Sequence, residues 1–248
     1  MRTSVGAVVL CGGRGERLKP LTDYYQKTMI PVGPKKLPLL AYVMAMLKHH
    51  GITRVALLTG YRGDEVKRYF GNGSDRGMEI SYSDDREDMP GSLGAVANGL
   101  SNRAVPRCNE LVVYYGDMLT DLDITGLLKF HRKEKADATL VLAMGYSLPV
   151  GVAEVEGRRV TSFREKPRLN LSVTTGMMVL GPSAMSLVKE VASPRRTDLM
   201  ADFIPALLRR GGKVAPFYLG QEWYDVGTVS SFERLNDVLG KHPLNDLI

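Results

Sequence analysis

The feature that most constrains the fold is an apolar run near the start of the chain that leads directly into a glycine-rich segment. The run is Val5–Cys11, and glycines follow at positions 12, 13 and 15. An apolar run without charged residues is typical of a strand buried on both faces, and such strands occur in parallel sheets covered by helices. The chain is therefore expected to begin with a central strand of an α/β sheet.

The glycine-rich segment also carries basic residues. Glycines let several backbone N–H groups approach one bound group, and nearby cations favour a polyanion, so the segment predicts a phosphate-binding loop. A Walker A loop is excluded because Glu16 and Arg17 follow Gly15, and a Rossmann fingerprint is excluded because Leu18 replaces its third glycine. An ordinary glycine-rich turn with solvated cations is the alternative at this point. The residues concerned are Gly12, Gly13, Gly15, Arg14, Arg17, Lys19 and Lys27.

Strand and helix patterns then alternate along the first half of the chain. Helices are predicted at residues 37–50, 64–70 and from about 95 to 102, and strands at 54–59, 78–83 and 111–115. This order predicts a doubly wound sheet with helices on both faces. The second half has short strand patterns joined by turns, which predicts an antiparallel extension. Strands are expected at 138–144, 152–155, 160–163, 175–180, 214–219 and 222–225, and helices at 182–191, 201–210 and 229–239. No repeat or linker interrupts the pattern, so residues 1–248 are expected to form a single domain.

Composition narrows the possible partners and compartments. The net charge is +6, but the basic residues are scattered, which argues against a nucleic-acid-binding surface. Two cysteines provide neither a disulfide framework nor a CxxC metal pair, and Cys11 is interpreted as a small core residue. No signal peptide or run of about 20 apolar residues is found, so a cytoplasmic protein without a membrane segment is expected. His131 falls on the inner face of a predicted helix and is interpreted as a packing residue.

Two aspartates stand at or near the ends of predicted strands. Asp117 follows the strand at 111–115, and Asp225 ends a short strand. Ligands of open α/β sheets bind beyond the carboxyl ends of the strands, which is where the glycine-rich loop is also expected. Two separated carboxylates suit Mg²⁺, which shares the rest of its shell with phosphates and water. Each aspartate taken alone could instead be a turn or capping residue.

Six short motifs in this order resemble the sugar-1-phosphate nucleotidylyltransferases, the nucleoside-diphosphate-sugar pyrophosphorylases. They are GGRGERLKPLT (12–22), Lys27, PGSLGA (90–95), YGD (115–117), FREKP (163–167) and WYDVGT (223–228). The resemblance covers residues 5 to about 239. It implies a Rossmann-like three-layer α/β/α fold with a mixed, mostly parallel sheet and an antiparallel sugar-binding extension. It also implies attack of a hexose 1-phosphate on the α-phosphorus of a nucleoside triphosphate, with release of pyrophosphate and with Mg²⁺ as cofactor. Members of this family often form homo-oligomers.

The resemblance assigns residues to the nucleotide side of the site. Arg17 would contact the β- and γ-phosphates, and Lys27, at the place of the family's Pro-Lys-Pro lysine, would approach the triphosphate. Asp117 and Asp225 would hold Mg²⁺ between the phosphates. The glycines expected to bind the nucleotide are Gly12, Gly13 and Gly15, with Gly91 behind the base.

The resemblance also assigns residues to the sugar side. Lys166 would hold the sugar phosphate and Glu165 a sugar hydroxyl. Gly151 and the pair Thr175–Gly176 would line the sugar pocket.

Several positions depart from the family pattern. Glu16 replaces a Thr or Ser, and it is expected to point away from the phosphates or to pair with a nearby arginine such as Arg14. Gln26 and Thr28 replace the prolines beside the family lysine, which predicts a less rigid loop. The acidic loop at residues 83–94 matches no single base pattern, so the base stays open; an aspartate of this loop could accept from the N1 and N2 donors of guanine. Two other functions remain under consideration: a non-catalytic nucleotide-sugar sensor of the same fold, and a cytidylyltransferase for a non-sugar phosphate.

Overall fold

The structure is a computed structural model that describes residues 4–148, 150–220 and 223–248. The strands in these residues are β1 (Val5–Cys11), β2 (Pro31–Val32), β3 (Leu37–Pro38), β4 (Arg54–Thr59), β5 (Glu79–Asp84), β6 (Glu110–Tyr115), β7 (Met118–Thr120), β8 (Ala138–Ser147), β9 (Val152–Glu156), β10 (Arg159–Arg164), β11 (Arg168–Leu180), β12 (Val214–Tyr218) and β13 (Trp223–Asp225). The α-helices are α1 (Leu21–Tyr24), α2 (Leu39–His49), α3 (Gly63–Phe70), α4 (Ser92–Ser101), α5 (Ile124–Glu134), α6 (Pro182–Val191), α7 (Ile204–Arg209) and α8 (Val229–Leu239). Short 3-10 helices occur at Glu16–Leu18, Lys27–Met29, Ser74–Arg76 and Pro243–Leu247, and a π-helical turn occurs at Leu199–Phe203.

A seven-stranded mixed sheet forms the centre of the molecule, in the order β12-β8-β11-β6-β1-β4-β5. β1 pairs in parallel with both β4 and β6, and β4 pairs in parallel with β5. β11 runs antiparallel to β6 and β8, whereas β12 is parallel to β8. The predicted α/β fold with a mixed, mostly parallel sheet is confirmed.

Alternating side chains of β1 explain the three layers. Ala7, Val9 and Cys11 point into one core with α2, α3, α5 and α8, whereas Val8 points into a second core with α4, α6 and α7. A strand that is apolar on both sides can be covered only by helices on both faces. Cys11 is 1% exposed, so its interpretation as a core residue is confirmed.

The antiparallel extension is built from the long strands β8 and β11. The hairpin β9–β10 forms a separate two-stranded sheet between β8 and β11 in the chain. It is largely exposed, and 65% of the surface of Phe163 is accessible to solvent. Its apolar side chains therefore contribute little to the main cores. This extension carries the residues that the sequence assigned to the sugar side.

Some predicted boundaries are wrong for identifiable reasons. α4 begins at Ser92 rather than near Ala95, because Gly91 serves as its N-cap. The predicted helix at 201–210 is a π-helical turn followed by α7. The carboxylate of Asp198 caps the turn by accepting bonds from Met200 N and Ala201 N. Pro205 lies in the first turn of α7, where its missing N–H breaks no helical hydrogen bond.

Two other outcomes concern strands near the expected site. The short strand β7 was not anticipated, and it pairs with β13. The predicted strand at 222–225 is described from residue 223 onward, and its first position, 222, lies outside the described residues. Among the described helices, none combines the length and the apolar character that crossing a bilayer requires.

Candidate active site

The loop after β1 is held in a fixed shape and leaves one side open. Gly15 has φ +66°, and its carbonyl accepts bonds from Leu18 N (2.8 Å) and Thr22 Oγ1 (3.0 Å). Leu18 is fully buried and anchors the 3-10 helix that follows. Gly13 is exposed, and a Cβ built on it would meet no atom of the described residues within 4 Å, its two chain neighbours apart. The backbone of this loop is therefore accessible to a ligand.

Lys27 lies directly behind this loop and pairs with Asp117. A Cβ on Gly15 would stand 3.2 Å from Lys27 Cβ, so glycine at this position lets the lysine stem pass close to the loop. Lys27 Nζ forms an ion pair with Asp117 Oδ2, and the two side chains are 12% and 23% exposed. The structure thus brings together three elements that the sequence predicted separately.

A small antiparallel ribbon places the second aspartate beside the first. In the pairing of β7 with β13, Asp225 is opposite Met118, and Val226 N donates to Asp117 O at 2.9 Å. Neighbouring positions across such a ribbon lie close enough for their side chains to interact. The two carboxylates predicted from distant parts of the sequence are therefore adjacent.

The electrostatics of Asp225 reflect this arrangement. Burial and the negative charge of Asp117 raise the pKa of Asp225, while Lys27 and Arg17 oppose the rise. A Cβ on Gly227 would stand 3.0 Å from Asp225 Oδ1 and 3.3 Å from Arg17 Nη2. Gly227 therefore leaves room for a carboxylate and a guanidinium at the same point. Two acidic and two basic side chains converge beside the glycine-rich loop.

The donor set at this point fits a hard divalent cation. Two carboxylates whose charges repel each other would be stabilised by Mg²⁺, which binds one or two protein carboxylates and completes its shell with phosphate and water. No group of three or more candidate ligands among His, Cys, Asp and Glu occurs in the described parts of the chain. A cation held only by Asp117 and Asp225 would consequently depend on a phosphate-bearing ligand for further contacts.

Glu16 is accommodated differently from the expectation. It forms an ion pair with Lys19 at 3.4 Å rather than with Arg14, because the two residues are three apart on a helical turn. The Arg14 guanidinium instead lies over the ring of Tyr61, 5.5 Å from its centroid. Glu16 therefore has a cationic partner, but that partner is Lys19 and not the arginine that was expected.

Asp85 lies beside the glycine-rich loop, although the sequence pattern does not single it out. Its carboxylate lies so close to the backbones of Gly12 and Gly60 that a Cβ on either glycine would overlap it. Burial and the neighbouring charge of Asp84 raise the pKa of Asp85. Asp84 is engaged elsewhere, since it accepts from Thr59 Oγ1 at 2.7 Å and pairs with Lys67. Its position in the sequence could have indicated this placement, because Asp85 follows β5 at the same sheet edge as the glycine-rich loop.

Gly91 has a clear packing requirement. Its φ is +97°, and a Cβ would overlap the carbonyl oxygen of Thr197. The next residue, Ser92, donates through Oγ to Asp198 Oδ2 at 2.7 Å. Glycine at this position lets the start of α4 pack against the segment before the π-helical turn, and the predicted contact of Gly91 with a base stays a prediction.

The residues assigned to the sugar side lie on the antiparallel extension. A Cβ on Gly151 would overlap the ring of Phe163 and stand 3.0 Å from Glu165 Oε2, so these predicted residues are neighbours. Lys166 has φ +44°, an uncommon conformation for a residue with a side chain, and strain of this kind clusters at functional sites. Thr175 is buried and donates through Oγ1 to Val141 O at 3.0 Å. Its hydroxyl therefore holds the sheet together.

The strand β11 connects the residues assigned to the sugar side with those assigned to the nucleotide side. A Cβ on Gly176 would stand 3.3 Å from Tyr115 Cβ and from Met118 Cγ, and these residues flank the segment that carries Asp117. The sugar-side strand is thus packed directly against the carboxylate segment.

His131 is buried, its Nδ1 lies 2.8 Å from Thr139 Oγ1, and burial lowers its pKa. These contacts support the interpretation of His131 as a packing residue.

Comparisons with known proteins agree with this geometry. The chain is 33% identical to a mannose-1-phosphate guanylyltransferase of Mycobacterium tuberculosis, with 93% of this chain and 63% of the relative aligned. It is 28% identical to a UTP–glucose-1-phosphate uridylyltransferase of Synechocystis sp., with 96% and 64% aligned. The chain therefore spans a little under two thirds of the length of these curated relatives. A solved structure from Bacillus anthracis, assigned as a glucose-1-phosphate thymidylyltransferase and bound to a sucrose, superposes with a TM-score of 0.75 at 25% identity over 96% of both chains.

The profile of a whole protein family gives the broadest match. The profile described as nucleotidyl transferase matches residues 6–241, which include every residue of the candidate site. A match over nearly the whole chain is not explained by a shared loop alone. The chain therefore belongs to the nucleotidyl transferase family.

Proposed function

We propose that the protein transfers a nucleotidyl group from a nucleoside triphosphate to a hexose 1-phosphate. In this reaction an oxygen of the sugar phosphate forms a bond to the α-phosphorus. The bond from that phosphorus to the bridging oxygen breaks, and pyrophosphate leaves with the electron pair. The observation that carries the proposal is the convergence of two carboxylates and two cations beside an open glycine backbone. Phosphoryl-type transfers require positioning and neutralisation of charge rather than a protein nucleophile.

On the nucleotide side, the exposed backbone at Gly13 would approach the phosphates. Arg17 would neutralise the β- and γ-phosphates, and Lys27 would exchange its contact with Asp117 for a phosphate oxygen. Asp117 and Asp225 would hold Mg²⁺, which polarises phosphate oxygens when bound. The ion pair of Lys27 with Asp117 supports the role of Lys27, since it keeps the lysine ammonium group beside a carboxylate that would hold Mg²⁺ before the substrates bind.

On the sugar side, Lys166 would bind the sugar phosphate and Glu165 would accept from a sugar hydroxyl. The closeness of Glu165 to Gly151 supports a shared pocket wall, and the unusual backbone of Lys166 supports a functional constraint. Thr175 would act through the shape of the pocket, because its hydroxyl bonds to the backbone of β8.

For the base, we propose guanine, selected by Asp85. An ionised carboxylate can only accept hydrogen bonds. Guanine presents two adjacent donors on its Watson–Crick edge, N1–H and the 2-amino group, whereas each other base has an acceptor next to its donor. The carboxylate of Asp85 overlies Gly12, which places it at the loop that would carry the nucleotide. A guanylyltransferase among the relatives is consistent with this choice.

The first experiment measures pyrophosphate release with Mg²⁺ over a grid of nucleoside triphosphates and hexose 1-phosphates. Release with GTP and one or two sugar phosphates is the expected result. Release with phosphocholine and CTP alone would favour the non-sugar cytidylyltransferase. Silence across the grid, with nucleotide sugar still bound, would favour the sensor, although the retained pair Asp117 and Asp225 argues against loss of metal binding.

Base selection is tested with Asp85→Asn. Because an amide presents both an acceptor and a donor, the preference for GTP over ATP should fall by on the order of 100-fold in kcat/KM. Asp84→Asn is the matched control, since Asp84 is bonded to Thr59 and Lys67, and it should keep the preference. An unchanged GTP preference in the Asp85 variant would refute the assignment of the base.

A further inference from the structure

Gln26, which precedes the lysine of the site, is fully buried and bonded at both ends of its amide. Its Nε2 donates to the carbonyl oxygen of Cys11, the last residue of β1. Its Oε1 accepts from Thr28 N at 2.6 Å and from Thr28 Oγ1 at 2.7 Å. The side chain is 0% exposed. One amide therefore connects the end of the central strand to the turn that contains Lys27.

The backbone of Gln26 has the torsions of a proline. Its φ is −61° and ψ is 142°, and the preceding Tyr25 is extended at φ −124° and ψ 147°. These are the values that a proline ring imposes on itself and on the residue before it. The hydrogen bonds of Gln26 thus maintain a conformation that a proline would fix covalently. The expectation of a less rigid loop stays a prediction, against which these hydrogen bonds argue.

A second layer of contacts holds the same segment from outside. Gln26 N donates to Glu65 Oε2 at 2.8 Å, and Glu65 also pairs with Arg62. Arg62 donates to the carbonyls of Asp23 at 2.9 Å and Tyr24 at 2.8 Å. The chain leading to the lysine is therefore fixed to the start of α3 as well as to β1.

We infer that Gln26 is a positioning residue that holds Lys27 at the place where the triphosphate is expected, and that its amide takes over the role of a rigid ring. The inference rests on the proposed function and deepens it. With the turn tied to Cys11, the stem of Lys27 is set against Gly15 and its ammonium group against Asp117. Small misplacements of such a group have large effects on rate.

A purely structural role makes a different prediction. If Gln26 only fills the core, its loss lowers the folded fraction, while each folded site keeps its turnover. If Gln26 acts through Lys27, its loss lowers turnover per folded site, and the effect disappears once Lys27 is absent. A double-mutant cycle separates the two cases, because coupled residues are non-additive.

The test uses Gln26→Leu, Lys27→Ala and the double variant. Calorimetric titration with nucleotide gives the number of binding-competent sites, and turnover is expressed per such site. Gln26→Leu should lower kcat by about 10- to 100-fold with little change in the KM for the sugar phosphate. In the Lys27→Ala background the same change should cost less than about threefold. Equal costs in both backgrounds, or wild-type turnover per site, would overturn the inference.

Two further variants keep the test interpretable. Gln26→Pro retains the backbone torsions and serves as the test if Gln26→Leu does not fold. Where both variants fold, the kcat of the proline variant should lie several-fold above that of the leucine variant. Where only the proline variant folds, its kcat should stay within about tenfold of wild type. Proline also removes the N–H that donates to Glu65 Oε2, so a proline variant that fails its comparison overturns the inference when Glu65→Ala leaves kcat unchanged. Asn236→Leu is the matched control: its amide accepts from Gly33 N at 2.7 Å, away from Lys27, and its loss should leave kcat unchanged.

An activity-independent measurement separates this inference from the proposed function. The rate at which a small anhydride acetylates Lys27, followed by mass spectrometry, reports how firmly the ammonium group is held. Gln26→Leu should raise this rate by about tenfold, because the turn opens locally, and Asn236→Leu should not. An unchanged rate would contradict the positioning role even if the enzyme proved active. A raised rate without turnover on any substrate pair would instead point to failure of the proposed function.

Discussion

Replacing Gly13 by alanine would separate ligand binding from folding. Gly13 is exposed, its φ lies outside the left-handed region, and a Cβ there would touch no described atom within 4 Å beyond its chain neighbours. A methyl group added at such a glycine reduces the freedom of the unfolded chain and stabilises a protein by about 0.4–1 kcal/mol. For a chain of this size that corresponds to a melting temperature about 1–4 °C higher.

The same methyl group would occupy the space that a phosphate needs to reach the backbone. Forcing an extra methyl into a close contact costs about 1–3 kcal/mol. Converted at about 1.4 kcal/mol per tenfold, the Kd for the nucleoside triphosphate should rise about 5- to 150-fold. Gly13→Ala is therefore expected to melt at a slightly higher temperature and to bind nucleotide more weakly, which is an uncommon combination.

The measurements are calorimetric titration with a nucleoside triphosphate and thermal unfolding without ligand. Gly240→Ala is the control, because Gly240 ends α8 with φ −61°, and the nearest atom to its Cβ is 3.8 Å away on Pro34. It should raise the melting temperature by a similar amount, since its backbone also suits alanine, and it should leave the nucleotide affinity unchanged. Unchanged nucleotide affinity in the Gly13 variant would refute the reasoning that this loop carries the phosphates.

Four further outcomes are expected. Asp225→Asn should lower turnover by about two to three orders of magnitude, yet leave the melting temperature at pH 7 unchanged or higher, because burial and a neighbouring negative charge raise the pKa of Asp225 and make its ionised form unfavourable. Lys166→Ala should raise the KM for the sugar phosphate more than that for the nucleotide, and an effect confined to the nucleotide would contradict its role. Gly15→Ala should destabilise the fold by about 1–2 kcal/mol in urea unfolding, since φ is +66° and the added Cβ would stand 2.7 Å from Thr22 Cγ2. Burial lowers the pKa of His131, so the unfolded state binds its proton more readily; stability should fall as pH drops below about 6.5, and less steeply in His131→Asn.

Local sequence patterns predicted most strands of the sheet and most of the helices that cover it. The apolar run Val5–Cys11 had to be covered on both sides, and the helical spacing in α2 and α8 supplied the covering faces. These features depend on residues a few positions apart, so propensity and periodicity report them directly. The position of Asp117 at a strand end was predictable for the same reason.

Only the tertiary structure decided how distant residues meet. The register of β7 with β13 sets Asp225 beside Asp117, and β7 carries no strong strand signal of its own. The buried hydrogen bond from Gln26 to the carbonyl oxygen of Cys11 could not be predicted from the replacement of a proline by glutamine. Likewise, the overlap of Asp85 with the space above Gly12 depends on the parallel pairing of β1, β4 and β5. Such contacts join segments far apart in the chain, and their geometry is fixed by strand register and core packing rather than by the residues nearby in sequence.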